Sequence, residues 1–351
     1  MRSVIAALLL ILAPAAAAAQ AAPFRLEPVT RIGCAECDGP EMFTRVMGLG
    51  VWDGRVYVLD QTAPMVRVFD AAGHPVRVFG RTGDGPGELR MPMRIFPRED
   101  RGVDVYDMQQ MRITSFDSIG NQTGNAPLRA GLFVRLAAAP RSDFTYYTPL
   151  RPDRTDQPVM RLARGSDTPE EFTVLTPNIP TARTDEITHA PILAARPAGG
   201  IAIGYGHEAY QIRVFDEQGS FVRDIVRNVS RPRKTEKEIA KEQAAREMSI
   251  GRLSAMVTEA GHDPPRLSVS VDEERRHFTD LQFDAAGRLW VQTERGSPDS
   301  TIFDVFDPGG EYLGGVSLPT RINSFALGDD LLAAPMSDDD GIHYIAVWRV
   351  R

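Results

Sequence analysis

The chain has 351 residues, 42% apolar and 25% charged, with 47 acidic against 40 basic side chains and a net charge of −7. That composition suits a packed globular protein. The negative balance supplies no basic field for nucleic acid or an anionic membrane, so neither partner is expected.

The first predicted element is a secretory signal peptide over residues 1–21: Arg2, an apolar stretch over 4–12, then small residues with cleavage after Ala19 or Ala21. The apolar stretch is too short to span a bilayer, and no later segment approaches the roughly 20 apolar residues needed. The first cysteine, Cys34, lies well beyond the cleavage site, which disfavours a lipid anchor. Residues 22–351 are therefore expected to form the mature protein, periplasmic or secreted.

Residues 24–32 alternate like a strand but belong to no local hairpin. Cys34-Ala35-Glu36-Cys37 follows. In an oxidising compartment this pair is a candidate local disulfide, with free thiols, a redox pair and a metal half-site as alternatives. No second Cys or His pair at zinc spacing follows, and no His after Cys37 supports haem attachment.

Residues 53–60, Asp-Gly-Arg-Val-Tyr-Val-Leu-Asp, and 66–73, Val-Arg-Val-Phe-Asp-Ala-Ala-Gly, read as two strands closed by a turn. The same phrase returns at 102–107 with 112–120, at 200–204 with 212–219, and at 287–291 with 303–310. Weaker copies fit at 144–147 with 159–162 and at 331–334 with 343–350. A period of roughly 40 to 50 residues with about four short strands per copy is the signature of propeller blades. Six copies predict an all-β, six-bladed β-propeller in one domain over 22–351. The last copy reaches Arg351 straight after its third strand, so the strand at 24–32 is expected to complete blade six and close the ring.

The gap between Phe215 and Phe306 exceeds one period by about 40 residues. A mainly helical insertion is therefore expected over 233–276, after blade four, capping one face. Its apolar positions Ala240, Ala244 and Met248, then Leu253, Met256 and Val257, have helical spacing. Pro232 precedes the helix, Gly261 and Pro264-Pro265 end it, and residues 249–251 are a candidate break.

Residues 79–89, Phe-Gly-Arg-Thr-Gly-Asp-Gly-Pro-Gly-Glu-Leu, with Pro92 shortly after, resemble the Gly-rich segment that links blades in NHL-repeat proteins. The resemblance implies the propeller architecture and leaves function open, because such propellers include scaffolds, binders and some enzymes. The chain is similar to calcium-dependent six-bladed lactonases in blade count alone, and their ligands find no assignable positions here.

Candidate chemistry is sparse. The glycines at 80–87 lack the Gly-Lys-Ser/Thr ending of a phosphate loop and read as a turn. There is no Gly-x-Ser-x-Gly. Asp338-Asp339-Asp340-Gly341 lacks the alternation and distal Glu of an EF-hand loop. Asp60 and Asp107 recur at equivalent strand ends, where a carboxylate commonly caps a turn; with His207 and Glu208 of blade four they are the candidate channel-face polar residues. The expected function is a non-catalytic, monomeric binding module for a protein, peptide or glycan, with no predicted cofactor. The alternative is a metal-assisted hydrolase or lyase of lactonase type, holding a divalent metal such as calcium with ligands from several blades.

Overall fold

The computed structural model describes residues 24–34, 36, 39–62, 65–128, 135–149, 157–175, 191–207, 209–259 and 271–351. The signal segment 1–21, Cys37 and Glu208 lie outside the described residues. The described chain forms six four-stranded antiparallel sheets in a ring, each ordered from the channel outward.

Blade 1 comprises Val46–Trp52, Arg55–Asp60, Val66–Asp70 and Pro75–Phe79. Blade 2 comprises Pro92–Pro97, Val103–Asp107, Arg112–Phe116 and Gln122–Pro127, and blade 3 Arg135–Ala138, Phe144–Thr148, Gln157–Ala163 and Glu170–Leu175. Ile192–Ala195, Ile201–Gly204, Gln211–Phe215 and Phe221–Val226 make blade 4. Blade 5 is built from Phe278–Phe283, Leu289–Thr293, Thr301–Phe306 and Tyr312–Leu318. Blade 6 takes Ala326–Gly328, Leu331–Ser337 and His343–Val350 from the C-terminus and Leu26–Ile32 from the N-terminus. That last pairing runs from Leu26 opposite Val350 to Ile32 opposite Ile345, so the expected closure is present and covers the outer edge of His343–Val350.

Burial follows radius. The second strands are buried at nearly every position, on both faces, because each lies between two neighbouring blades. The outer strands Pro75–Phe79 and Phe221–Val226 are largely exposed. Neighbouring blades interlock through large side chains such as Tyr57, Phe69, Tyr146, Trp290 and Phe303, each fully buried, and a side chain of that size contributes about 1.5–3 kcal/mol on burial.

The recurring Phe-Asp-x-x-Gly phrase has one physical role. Asp70 Oδ1 accepts the N–H groups of Ala72 and His74, Asp117 Oδ1 those of Ile119 and Asn121, and Asp216 Oδ1 those of Gln218 and Ser220. The glycine that follows has positive φ each time, +91° at Gly73, +95° at Gly120 and +84° at Gly219, a conformation that glycine adopts without a Cβ penalty. These turns close the hairpins between third and outer strands.

Among its described residues the insertion forms one helix, α1 (Glu236–Glu259), with no break at 249–251. Thr235 caps it: its Oγ1 accepts the Glu238 N–H at 3.2 Å, and the Glu238 carboxylate accepts the Thr235 N–H at 2.8 Å. Contrary to the sequence reading, Ala240, Ala244 and Met248 are exposed, while Ile239, Glu242, Arg246 and Ile250 form the half-buried face. Ion pairs hold this face in place: Lys234 to Glu242 at 2.6 Å, Arg246 to Glu242 at 2.6 Å, and Arg275 to Glu238 at 2.7 Å. At the base, Lys234 N–H donates to Glu273 O at 2.7 Å and Arg275 N–H to Pro232 O at 2.9 Å, which ties the two legs together. Thr235→Ala is expected to loosen the first turn by about 1 kcal/mol, seen as faster amide exchange over residues 236–239 with the blades unchanged. No helix among the described residues is long and apolar enough to cross a membrane.

Candidate functional site

Inner strands of all six blades enclose a central cavity of about 420 Å³. Much of its wall is small or apolar, including Gly48, Gly50, Ala137, Ala194 and Leu136. Charge enters at few places, and the register explains which. In blades 1, 2 and 5 the inner strand carries a one-residue bulge near its start, between Val46 and Gly48, Pro92 and Arg94, and Phe278 and Asp280. Bulges re-aim the side chains beside them. Gly48, Arg94 and Asp280 thus occupy equivalent positions, paired with Leu59, Tyr106 and Gln292. Blades 2 and 5 are opposite in a ring of six, so Arg94 and Asp280 belong to opposing walls. Arg135 opens the inner strand of blade 3, beside Arg94.

Burial in this channel makes each charge costly. It lowers the Arg94 pKa, with Asp280 opposing the shift. The Arg135 pKa is lowered by burial first and then by the like charge of Arg94, again opposed by Asp280. The Asp280 carboxyl is pushed up to about 6 by burial, although the Leu281 N–H, at 2.9 Å, and both arginines favour its ionised form. Just before the inner strand of blade 5, burial lowers the Arg276 pKa, opposed first by Glu294 and then by Glu242 of α1, while the like charge of Arg135 adds to the shift. The helix therefore stands near the same mouth of the channel.

Asp60, Asp107 and His207, singled out in the sequence, lie elsewhere. Asp60 is buried and accepts the N–H groups of Thr44 at 2.9 Å and Thr62 at 2.9 Å, with the Thr62 hydroxyl at 2.8 Å. Asp107 is equally buried and accepts those of Arg90 at 2.6 Å, Met91 at 3.1 Å and Gln110 at 2.9 Å. Both carboxylates fasten the start of their blade's inner strand to the end of its second strand, and neither lines the cavity. Asp107→Ala is expected to cost about 1–3 kcal/mol, because buried N–H groups lose their acceptor; chemical unfolding measures it.

His207, in the loop between the second and third strands of blade 4, is also absent from the cavity wall. Its Nδ1 lies 2.8 Å from Asp272 Oδ2, on the returning leg of the insertion, and its backbone oxygen accepts a hydrogen bond from Arg231 at 2.8 Å. It anchors the insertion. Cys34 is disulfide-bonded. Among the described residues, no three His, Cys, Asp or Glu side chains converge as a metal site.

The family model DUF5128, described as a 6-bladed β-propeller, matches residues 42–192, from the approach to blade 1 to the start of blade 4. Sequence and fold agree on a six-bladed β-propeller. This propeller is similar over 93% of its length to a solved member of the DUF4221 family from Bacteroides vulgatus, at 10% identity, 96% coverage of that chain and a TM-score of 0.53. It is similar, again over 93% of its length, to a Bacteroides fragilis protein provisionally named as exported, at 12% identity, 95% coverage and a TM-score of 0.52. A gluconolactonase from Xanthomonas campestris matches at 14% identity and a TM-score of 0.47, with 94% of this chain and 96% of that one covered. No curated protein matches the propeller in sequence. At these identities the likeness concerns the fold.

Arg94, Arg135 and Asp280 were missed in the sequence because nothing local marks them. An Arg in Met-Arg-Ile or an Asp in Thr-Asp-Leu reads as an ordinary polar strand position. Counting two residues forward from the start of each inner strand, once the blades are aligned, is the one signal that brings Arg94 and Asp280 together.

Proposed function

We propose that this chain is an exported binding module of NHL-like type, which takes part of a peptide, glycan or protein into its central channel through the mouth beside α1. The observation that carries the reading is the channel itself: about 420 Å³, walled in about equal measure by apolar and polar groups, with a few charged side chains among them. Ligand sites commonly combine apolar surface in a concavity with placed polar groups. The Gly-rich segment after blade 1, where Glu88 accepts the Gly85 N–H at 2.8 Å, serves the ring as a turn in this reading. Export rests on the N-terminal sequence, and a 34–37 disulfide would suit that compartment.

The test is an array of peptides and glycans probed with the mature protein and with Ser324→Trp. Ser324 is exposed and lines the channel mouth, so a tryptophan there obstructs the opening without entering the core. Ligands taken into the channel are expected to bind the variant at least tenfold more weakly. Unchanged binding would place the ligand on the outer surface. Turnover of lactones or esters by the same preparation, abolished by EDTA, would replace the binding reading with the metal-assisted one.

A further inference from the structure

We propose that Arg94 and Arg135 form a subsite for the carboxylate group of an acidic ligand. The inference rests on the channel-binding reading and adds the chemistry of what enters. Its first support is an imbalance of partners. Among the described residues, more than half of the arginines have a carboxylate beside them, for example Arg227 with Asp304 at 2.7 Å or Arg288 with Asp284 at 2.6 Å. Arg94 makes a single hydrogen bond, to the backbone oxygen of Met93 at 2.9 Å, and no ion pair among the described residues. The Arg135 side chain has neither a hydrogen bond nor an ion pair among the described residues.

The second support is placement. Both side chains line one cavity from adjacent blades, 2 and 3, and the single carboxylate that reaches them electrostatically, Asp280, stands on the opposite wall. Two neighbouring guanidinium groups facing one acid leave an excess positive charge in a confined space. Burial and mutual repulsion both weaken the protonated state of Arg135, so the free protein carries an electrostatic cost that a bound anion would relieve. Charges held at such a cost inside a concave site mark function more often than stability. Guanidinium groups are suited to this task because their planar donors match the two oxygens of a carboxylate. Asp280, across the channel, would accept a hydroxyl or ammonium hydrogen from the same ligand.

The experiment measures binding of glucuronate, succinate, inorganic phosphate and glucose by calorimetry at matched ionic strength, using the mature wild-type protein, Arg94→Gln, Arg135→Gln and Arg135→Lys. The proposal expects glucuronate or succinate to bind, glucose not to bind, each Gln variant to lose at least tenfold in affinity, and Arg135→Lys to recover part of the loss. Free Arg135→Gln should melt at or above the wild-type temperature, since it removes an uncompensated charge; this also shows that lost binding is not lost folding. Phosphate binding without carboxylate binding would overturn the carboxylate assignment. Failure of every anion, or carboxylate binding unchanged in both Gln variants, would overturn the subsite. The channel reading fails separately, on array ligands that ignore Ser324→Trp.

Discussion

Asp304→Ala is expected to destabilise the protein by about 3–5 kcal/mol, the cost of stranding buried charges by removing their partner. Asp304 is fully buried on the third strand of blade 5, where it joins two blades. Its Oδ2 accepts the Tyr210 hydroxyl at 2.8 Å and lies 2.7 Å from Arg227, both from blade 4 and its exit. Its Oδ1 is bound by Arg295, with the Tyr312 hydroxyl at 3.3 Å. Loss of the carboxylate leaves two guanidinium groups and a buried tyrosine hydroxyl short of an acceptor. Urea unfolding of the wild type and variant measures the loss. Adding Arg227→Met and Arg295→Met to Asp304→Leu should recover much of it, since an apolar replacement of a whole buried ion cluster is tolerated far better than its half-removal. A loss below about 1 kcal/mol in Asp304→Ala would show that the cluster does not clamp blades 4 and 5 together.

The second large effect is a pH dependence opposite to that of ordinary surface carboxylates. Asp280 titrates at about 6 in the folded protein, against 3.8 for a free aspartate. Below about pH 4 it is protonated in both folded and unfolded chains and costs nothing. Between about pH 4 and pH 6 folding takes up a proton, so stability falls as pH rises. Above about pH 6 the folded protein carries the cost of ionising this half-buried carboxylate, at most about 3 kcal/mol. Paired carboxylates such as Asp84, held down to about 2 by Arg90, act in the other direction but below about pH 4, outside this window. The quantity to measure is therefore the stability difference between wild type and Asp280→Asn from pH 4 to pH 8. Asp280→Asn should gain on the wild type by about 2–3 kcal/mol across that range. A flat difference would show that Asp280 is well solvated through the channel.

These two aspartates show where a sequence is informative. Asp70, Asp117 and Asp216 were legible because their partners lie two and four residues away, within one turn, and the phrase recurs in each strong blade. Asp304 and Asp280 occupy similar apolar contexts, yet their partners come from other blades and from residues far along the chain. Asp60 and Asp107 fall between: turn capping was legible from their recurrence, while the channel position considered for them was not met, because their carboxylates turn back to their own blade's inner strand. In α1, Ala240, Ala244 and Met248 suggested an apolar contact face. Ion pairs through Glu238 and Glu242 chose another face, since helical spacing identifies residues that share a side without saying which side is covered.

By itself, then, the sequence determined the repeat, the six blades, the closing strand and the inserted helix. Each is a matter of local hydrogen bonding, turn chemistry and alternation, which act over a few residues and leave a periodic trace. The tertiary structure alone decided which side chains share the channel. Equivalent positions on inner strands are brought together by the ring, and a one-residue bulge sets their register. The charges that meet there, Arg94 and Arg135 against Asp280, are separated by more than one hundred residues of chain. Their chemistry depends on shared burial, which no local pattern encodes.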